Sequence, residues 1–198
     1  MDSPPVRWPS TFREINDLPE DQKSAIYRTL IPDWMCDMFG VDPVTLAGDS
    51  GPLFHLRCPA GGTAVELSLF SPTEPRDPVL YLHIGDTLLS QVAVFMVVVS
   101  DPRSPRFDID IDEAGRPTQL GTLARNLAEE VRAMAAGLMP GQVRRGLRVF
   151  RSAIATFDAF VQRMGHTLYF IEPLFYHNAI TFERCGFAYA RGAQHMQW

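Results

Sequence analysis

The sequence predicts a mixed α/β protein of the α+β kind, in which a mostly antiparallel sheet is flanked by helices. The order of the local patterns predicts this class: helical patterns come first, period-two alternation fills the middle, and helical patterns with a further strand follow. Helices repeat about every 3.6 residues and strands about every two, so a change of period marks a change of element. We expect one domain over residues 1–198, with an N-terminal helical segment over 1–50, an antiparallel meander over 53–112 and a last part over 118–198.

The N-terminal segment predicts two helices. A proline followed by acidic residues at positions 19–21 is typical of a helix start, because proline fits the first turn and carboxylates favour the positive end of the helix dipole. Pro32 is expected to end this helix, and a short second helix over residues 33–39 is expected to end at Gly40. Residues 1–10 are rich in proline and serine, so we expect them to be frayed. Residues 1–13 contain no apolar core, so we expect no signal peptide there.

Five runs with strand character make up the predicted meander. The second run alternates apolar and polar side chains, which is typical of a strand with one exposed face, and the fourth is apolar on both faces, which favours a central position in the sheet. Gly85 and Asp86 predict a hairpin turn before the fourth run, and residues 112–115 predict a turn after the fifth. The five runs are residues 53–57, 64–70, 79–84, 88–99 and 107–111.

Two amphipathic helices are predicted in the second half of the chain. The first covers residues 124–136 and the second covers residues 142–164, and we expect the apolar stripe of the second helix to face the core. The apolar side of the first helix consists of Leu127, Val131, Met134 and Ala135. The remaining predicted elements are a strand over 167–171, a short helix over 177–184 and a last strand over 186–189.

Charge and composition argue against several classes of protein. The formal net charge of −5 argues against a nucleic-acid binder that depends on general attraction to phosphates. The most apolar run, residues 92–99, is too short to cross a bilayer, so we expect no association with a membrane. Three cysteines without a CxxC pair cannot form a disulfide framework, which favours a reducing, cytoplasmic location. One basic cluster indicates a small anionic ligand or a solvated helix face: Arg144, Arg145, Arg148 and Arg151.

The C-terminal part of the chain carries a resemblance to a known family. Residues 178–187 read Asn-Ala-Ile-Thr-Phe-Glu-Arg-Cys-Gly-Phe, and this segment resembles the C-terminal signature of the GNAT superfamily of N-acyltransferases. Residues 140–147 are similar to the basic, glycine-containing loop of that family at the start of a long helix. The order of the predicted elements is also that of a GNAT fold. Residues 118–198 would then form the cofactor-binding half.

The resemblance implies a ligand and a set of site residues. The ligand would be acetyl-CoA or another acyl-CoA, and the acceptor of the acyl group would be a small amine, with no metal ion. In the loop formed by Gln142, Arg144, Arg145, Gly146 and Leu147, the two arginines and the Gly146 amide would bind the pyrophosphate. On the same basis Asn178 would bind the pantetheine arm, and the candidate catalytic residues are Glu172, Tyr176 and His177, of which Glu172 or His177 would be the base.

Two other interpretations stay open from the sequence alone. Phe182 stands where many members of the family have the tyrosine that protonates the leaving thiolate, which a phenyl ring cannot do. This favours the alternative of a non-enzymatic ligand- or partner-binding protein on the same scaffold. A third interpretation is an unrelated α/β fold with a coincidental C-terminal motif. A sheet without a last strand would leave an edge that a homodimer could cover.

Three further groups of residues could carry chemistry, and each has a structural alternative. Three aspartates at period two, Asp108, Asp110 and Asp112, could hold a cation, but a solvated strand face is the expected interpretation. His83 with Asp86 could act in acid–base or metal chemistry, although we expect His83 to pack within the sheet. An aromatic group could line an acyl pocket but is expected to be core: Phe170, Phe175, Tyr176, Phe182 and Phe187.

Overall fold

The computed structural model describes residues 8–49, 51–119 and 121–192. These residues form six helices, a five-stranded sheet and a two-stranded sheet. The five-stranded sheet is antiparallel except for its last pair of strands. The predicted mixed class with a mostly antiparallel sheet is therefore confirmed. None of the helices in the described part of the chain has the length and apolar content needed to cross a membrane.

The chain divides into two compact units, each of which is continuous in space but not in sequence. The first unit contains both sheets and four of the helices, and it consists of Met1–Pro105 and Arg145–Glu172. The second unit contains the other two helices, and it consists of Arg106–Arg144 and Pro173–Trp198.

Three short helices begin the first unit: α1 (Phe12–Asn16), α2 (Glu20–Arg28) and α3 (Asp33–Phe39). The two helices expected here are α2 and α3, and α3 ends at Gly40 in the left-handed conformation, as predicted. The pattern did not indicate α1, which a capping box between Thr11 and Glu14 starts.

The expectation of a frayed start is wrong at Trp8. The ring of Trp8 packs edge-on against Phe160, with 5.6 Å between the ring centroids. Residues 1–7, which were expected to be frayed as well, lie outside the described residues.

The main sheet has the strand order β3-β4-β5-β6-β7, and β1 and β2 form a separate small hairpin. In β4 every second residue is buried, because its apolar side chains face the core and its polar ones face outward, as the alternation predicted. The strands are β1 (Ala47–Gly48), β2 (Gly51–Pro52), β3 (Phe54–Arg57), β4 (Ala64–Ser71), β5 (Glu74–Asp86), β6 (Val92–Val99) and β7 (Tyr169–Ile171).

The predicted turn between β5 and β6 is wrong by a few residues. Gly85 and Asp86 are the last residues of β5 and pair with β6, and the turn follows over residues 87–91. Leu88 and Leu89, which were expected in the strand, are exposed in this turn. Asp86 instead accepts hydrogen bonds from the backbone N–H groups of Phe12 and Arg13, at 3.0 and 3.1 Å, and so ties the end of β5 to the start of α1.

The core of the first unit lies between the sheet and helix α5 (Phe150–Arg163), together with α1 and α2. The ring of Phe160 stacks against Phe12, Tyr27 and Phe157, with centroid distances between 6.1 and 6.4 Å. Two buried polar side chains in this core satisfy each other and the backbone. The Tyr27 hydroxyl donates to Asn16 at 2.5 Å, and the Asn16 amide donates to the carbonyl oxygens of Gly62 and Ala64.

The long helix begins eight residues later than predicted. Residues 142–149 are not helical, because their backbone groups bond to other segments. In the first unit, the Asp101 N–H donates to the Arg145 carbonyl at 2.8 Å and Ser100 bridges Gly146. In the second unit, the Phe107 N–H donates to the Val143 carbonyl at 2.9 Å. Tertiary hydrogen bonds therefore override a local helical pattern.

The second unit contains α4 (Leu127–Ala135) and α6 (Tyr176–Arg184). The strand predicted over residues 107–111 is wrong, since this segment runs as turns and irregular chain, with one bridge between Ile111 and Pro117. A small cluster of Phe107, Ala133 and Leu138 forms the apolar centre of this unit. The strand predicted over 186–189 is wrong too, because the chain after α6 is irregular as far as it is described.

The apolar side of α4 is exposed. Leu127, Val131 and Met134 are 60, 66 and 60% exposed, and Ala135 is exposed as well. The buried residue of the helix is Ala133, at 3% exposure.

Candidate functional site

The first unit contains a place where two parallel strands separate. Strand β7 pairs with β6 over three residues only, Val92 to Val94, and the Glu172 N–H then donates to the Val94 carbonyl at 3.1 Å. After this point β6 continues to Val99, paired with β5 on one side. No described strand pairs with its other side. Five residues of β6 thus present an open edge of roughly 16 Å at the rise of an extended strand.

A β-bulge lies at the start of the open edge. His83 of β5 pairs with Met96, and the next residue, Ile84, pairs with Val94, so Phe95 is an extra residue on β6. A bulge bends the strand and leaves backbone groups out of the ladder. The Phe95 ring meets the His83 ring edge to face, at 5.1 Å between centroids, which places His83 in the sheet as expected.

The segment before α5 bounds the far end of the open edge. Gly146 bridges Ser100, directly after the last residue of β6. A Cβ atom at Gly146 would lie 3.3 Å from the carbonyl oxygen of Val99, which is tighter than an ordinary contact. Glycine at this position therefore lets the chain run closely against the end of β6.

Helix α5 begins beside this segment with an unusually positive N-terminus. Its N-cap residue is Val149, whose side chain cannot accept a hydrogen bond, and its first turn contains no acidic residue. Arg145, Arg148 and Arg151 are exposed around this end. Arg148 has a φ of 58°, in the left-handed region that non-glycine residues rarely adopt. The helix dipole adds to the positive charge of these arginines.

The residues predicted from the sequence divide between the two units. The first unit holds Arg145, Gly146, Leu147 and Glu172. Of these, Arg145 and Glu172 are exposed, and the Glu172 side chain has no hydrogen-bond partner among the described residues. The second unit holds Gln142, Arg144, Tyr176, His177 and Asn178.

In the second unit, the two predicted loop residues are engaged with the protein itself. The side chain of Gln142 accepts a hydrogen bond from the Met139 N–H at 2.9 Å, which closes the turn after α4. Arg144 is 6% exposed. Gln142 and Arg144 therefore have structural roles within the second unit.

The first turn of α6 gathers the other predicted residues of the second unit. The imidazole of His177 stacks on Phe175 at 5.7 Å, and burial lowers its pKa below the ordinary value of 6.5. His177 is therefore neutral at neutral pH and able to accept a proton. Tyr176 is 59% exposed, and the side-chain amide of Asn178, half-buried, has no hydrogen-bond partner in the described residues.

A close contact fixes Phe175 under this turn. A Cβ atom at Gly141 would lie 2.3 Å from the Phe175 ring, so only glycine fits there, and Gly141 also has a φ of 81°. Phe182 is 8% exposed and contacts Phe187 at 5.9 Å, in agreement with core packing. The phenyl ring of Phe182 has no acidic proton and cannot act as a proton donor.

The other groups of residues have structural partners. Arg106 forms ion pairs with both Asp108 and Asp110, and Arg116 pairs with Asp112 at 2.8 Å. Asp86 accepts hydrogen bonds from the first two N–H groups of α1, as described above. In the described part of the chain, no group of three acidic, histidine or cysteine side chains is arranged to hold a metal ion.

Sequence reasoning missed the bulge at Phe95 and the strained backbone of Arg148. The run from Val92 to Val99 is wholly apolar, so the period-two phase that would reveal an extra residue is absent. At Arg148 the neighbouring arginines suggested a helix face, and nothing in the pattern indicated a left-handed residue. No protein-family model, no curated protein and no solved structure matches the chain.

Proposed function

We propose that the protein binds an acyl-CoA on a GNAT-like scaffold and transfers the acyl group to a small amine by direct attack. The observation that carries this proposal is the open edge of β6 between Val94 and Ser100, next to the basic start of α5. Pantetheine is an extended chain with two amides, so it can bond to an open strand edge as an added strand does. Its pyrophosphate is a ligand suited to a positive helix N-terminus.

Residue chemistry in the first unit fits such a ligand. The exposed guanidinium groups of Arg145, Arg148 and Arg151 supply positive charge in a protein whose net charge is −5. The backbone at Gly146 approaches β6 without a side chain in the way. In this proposal the pyrophosphate lies at the N-terminus of α5 and the pantetheine arm follows the open edge of β6.

Acyl-CoA supplies a thioester, which an amine attacks with formation of a C–N bond and loss of the thiolate. Glu172, which follows β7 at the open edge of the first unit, takes the proton that the amine loses. The thiolate that leaves takes a proton from water.

A binding protein without catalysis is the second candidate function, and Phe182 favours it. Phe182 is buried against Phe187 and has no proton to donate, so the usual acid of the resembled family is missing. Both candidates share the ligand and differ in turnover.

Thermal unfolding with acetyl-CoA, longer acyl-CoAs and free CoA tests the shared claim. A ligand at a hundred times its dissociation constant stabilises by about 2.7 kcal/mol, which raises the melting temperature by several degrees for a chain of this size. The double substitution Arg148→Gln with Arg151→Gln should remove most of this shift. Arg13→Gln, an exposed arginine of α1, is the matched control and should not change it.

The absence of a shift with every one of these ligands would exclude the proposal. If binding occurs, thiol release in the presence of varied amines separates an enzyme from a binder. In an enzyme, Glu172→Gln should lower turnover with little effect on CoA affinity. Release no faster than spontaneous hydrolysis would favour the binding protein.

A further inference from the structure

A groove in the first unit lies away from the open edge of β6 and has no role in the proposed function. It has a volume of about 580 Å³ and runs between the α2–α3 junction and one stripe of α5. This volume falls within the range of about 300–1,000 Å³ that is usual for small-molecule sites. The α5 stripe contains Thr156, Ala159, Phe160 and Arg163, which share one side of the helix.

The floor of the groove is apolar and held in place. Ile31 and Phe160 are 7 and 2% exposed, and Pro32, the residue after Ile31, is buried as well. Phe160 cannot turn away, because three other rings stack against it. Trp34 stands half-buried at the wall, and its indole N–H has no hydrogen-bond partner among the described residues. The groove therefore offers a preformed apolar surface and one N–H donor.

The rim of the groove is positive. Arg163 lies over the ring of Trp8, with 5.1 Å from its guanidinium carbon to the ring centroid, and it forms no ion pair with a described carboxylate. Arg28 donates to the carbonyl oxygens of Pro43 and Val44. The Val44 N–H hydrogen bond and the charge of Arg28 lower the pKa of Asp42, a carboxylate outside the lining. The single carboxylate of the lining is Asp33, which is exposed. Two guanidinium groups thus outweigh one carboxylate.

We propose that this groove binds a small monocarboxylate with an aromatic or branched aliphatic body. Arginine recognises carboxylates with two parallel hydrogen bonds, and a guanidinium held over an aromatic ring keeps its N–H groups available for this contact. The body of the ligand packs on Ile31, Phe160 and the face of Trp34. Arg163 takes the carboxylate, and the Trp34 N–H can donate to its second oxygen. This site is independent of acyl-CoA binding.

Titration of the full chain with phenylbutyrate, followed by proton–nitrogen NMR, tests the proposal. The signal of the Trp34 indole N–H, assigned with Trp34→Phe, should shift in a saturable way. Phenylbutanamide and phenylbutylamine have the same body without the negative charge, and they should bind at least roughly tenfold more weakly, as expected for the loss of a charge-assisted hydrogen bond. Arg163→Gln should weaken phenylbutyrate binding by a similar factor.

Two control variants test whether phenylbutyrate binding depends on this groove rather than on the general charge of α5. Arg151→Gln removes the same charge from the same helix, roughly 18 Å away along its axis, and should leave the affinity unchanged. Ala159→Trp adds bulk at an exposed lining position and should abolish binding while the melting temperature stays the same. Equal affinities for the acid and the amide, an unmoved Trp34 signal, or unchanged binding by Arg163→Gln would each overturn the proposal.

Discussion

Helices α4 (Leu127–Ala135) and α5 (Phe150–Arg163) have similar amphipathic sequences but use them differently. In α5 the apolar stripe is the core of its unit, with Phe157, Phe160 and Val161 between 1 and 8% exposed. In α4 the corresponding stripe faces outward, and Ala133 is buried instead. The spacing of apolar residues therefore marks a helix and its two sides. Whether the apolar side is buried depends on which other helices and strands pack against it.

The helices also differ in how their N-termini are held. In α4, Asn126 accepts a hydrogen bond from the Glu129 N–H at 3.3 Å, and its amide donates to the carbonyl oxygens of Asp108 and Ile111. In α5, no side chain caps the first turn. Helix α4 is thus fixed by polar contacts at its end and α5 by apolar contacts along its length.

The largest expected effect is at the centre of the α5 stripe. Phe160→Ala removes a ring that packs against Phe12, Tyr27 and Phe157, so it should lower the free energy of unfolding by about 3–5 kcal/mol. Val131→Ala on α4 is the matched control and should change it by less than about 0.5 kcal/mol. Chemical denaturation followed by circular dichroism measures both values. Similar losses for the two variants would contradict the comparison.

A smaller effect is expected at the N-cap of α4. Asn126→Ala removes the cap and leaves the half-buried carbonyl groups of Asp108 and Ile111 without this donor, so the second unit should lose about 1–2 kcal/mol. Asn126→Asp keeps the acceptor for the Glu129 N–H and should recover part of the loss. Hydrogen exchange at the α4 amides reports this locally. Unchanged protection in Asn126→Ala would show that the cap is dispensable.

The smallest effect is a pH dependence confined to the second unit. Burial lowers the pKa of His177, so its folded value lies below its unfolded value near 6.5. The contribution of neutral His177 to the free energy of unfolding is therefore complete above pH 6.5, and it is lost as the pH falls through the pKa of His177 in the folded protein. The protection of α6 amides should decrease between pH 7 and pH 5 in the native chain. In His177→Gln this decrease should be weaker, and an identical profile would argue against His177 as the cause.

Much of the fold follows from local pattern. The alternation in β4 predicted its burial residue by residue, and proline, acidic residues and Gly40 predicted the limits of α2 and α3. These features depend on side chains that are near one another in sequence. The class of the protein could be predicted for the same reason.

The wrong predictions of secondary structure fall where contacts between segments distant in sequence determine the backbone conformation. The apolar spacing of residues 142–149 is helical, but their backbone groups bond to residues near 100 and 107, which no local pattern contains. Gly85 and Asp86 have the composition of a turn, yet both pair with β6, and Asp86 accepts hydrogen bonds from the start of α1. The types of residue in the candidate site could be proposed from the sequence. The open edge of β6 could be recognised only once the structure showed that β7 pairs with β6 over three residues.

The bond between Asp86 and the start of α1 has a consequence for the order of folding. Helix α1 has five residues, far fewer than the roughly 12 that an isolated helix needs in water, so it is not expected to persist alone. The carboxylate that receives its first N–H groups lies 74 and 73 residues further along the chain. We therefore expect α1 to be acquired late, after β5 has joined the sheet. During synthesis, the first described helix would wait for residue 86 to leave the ribosome.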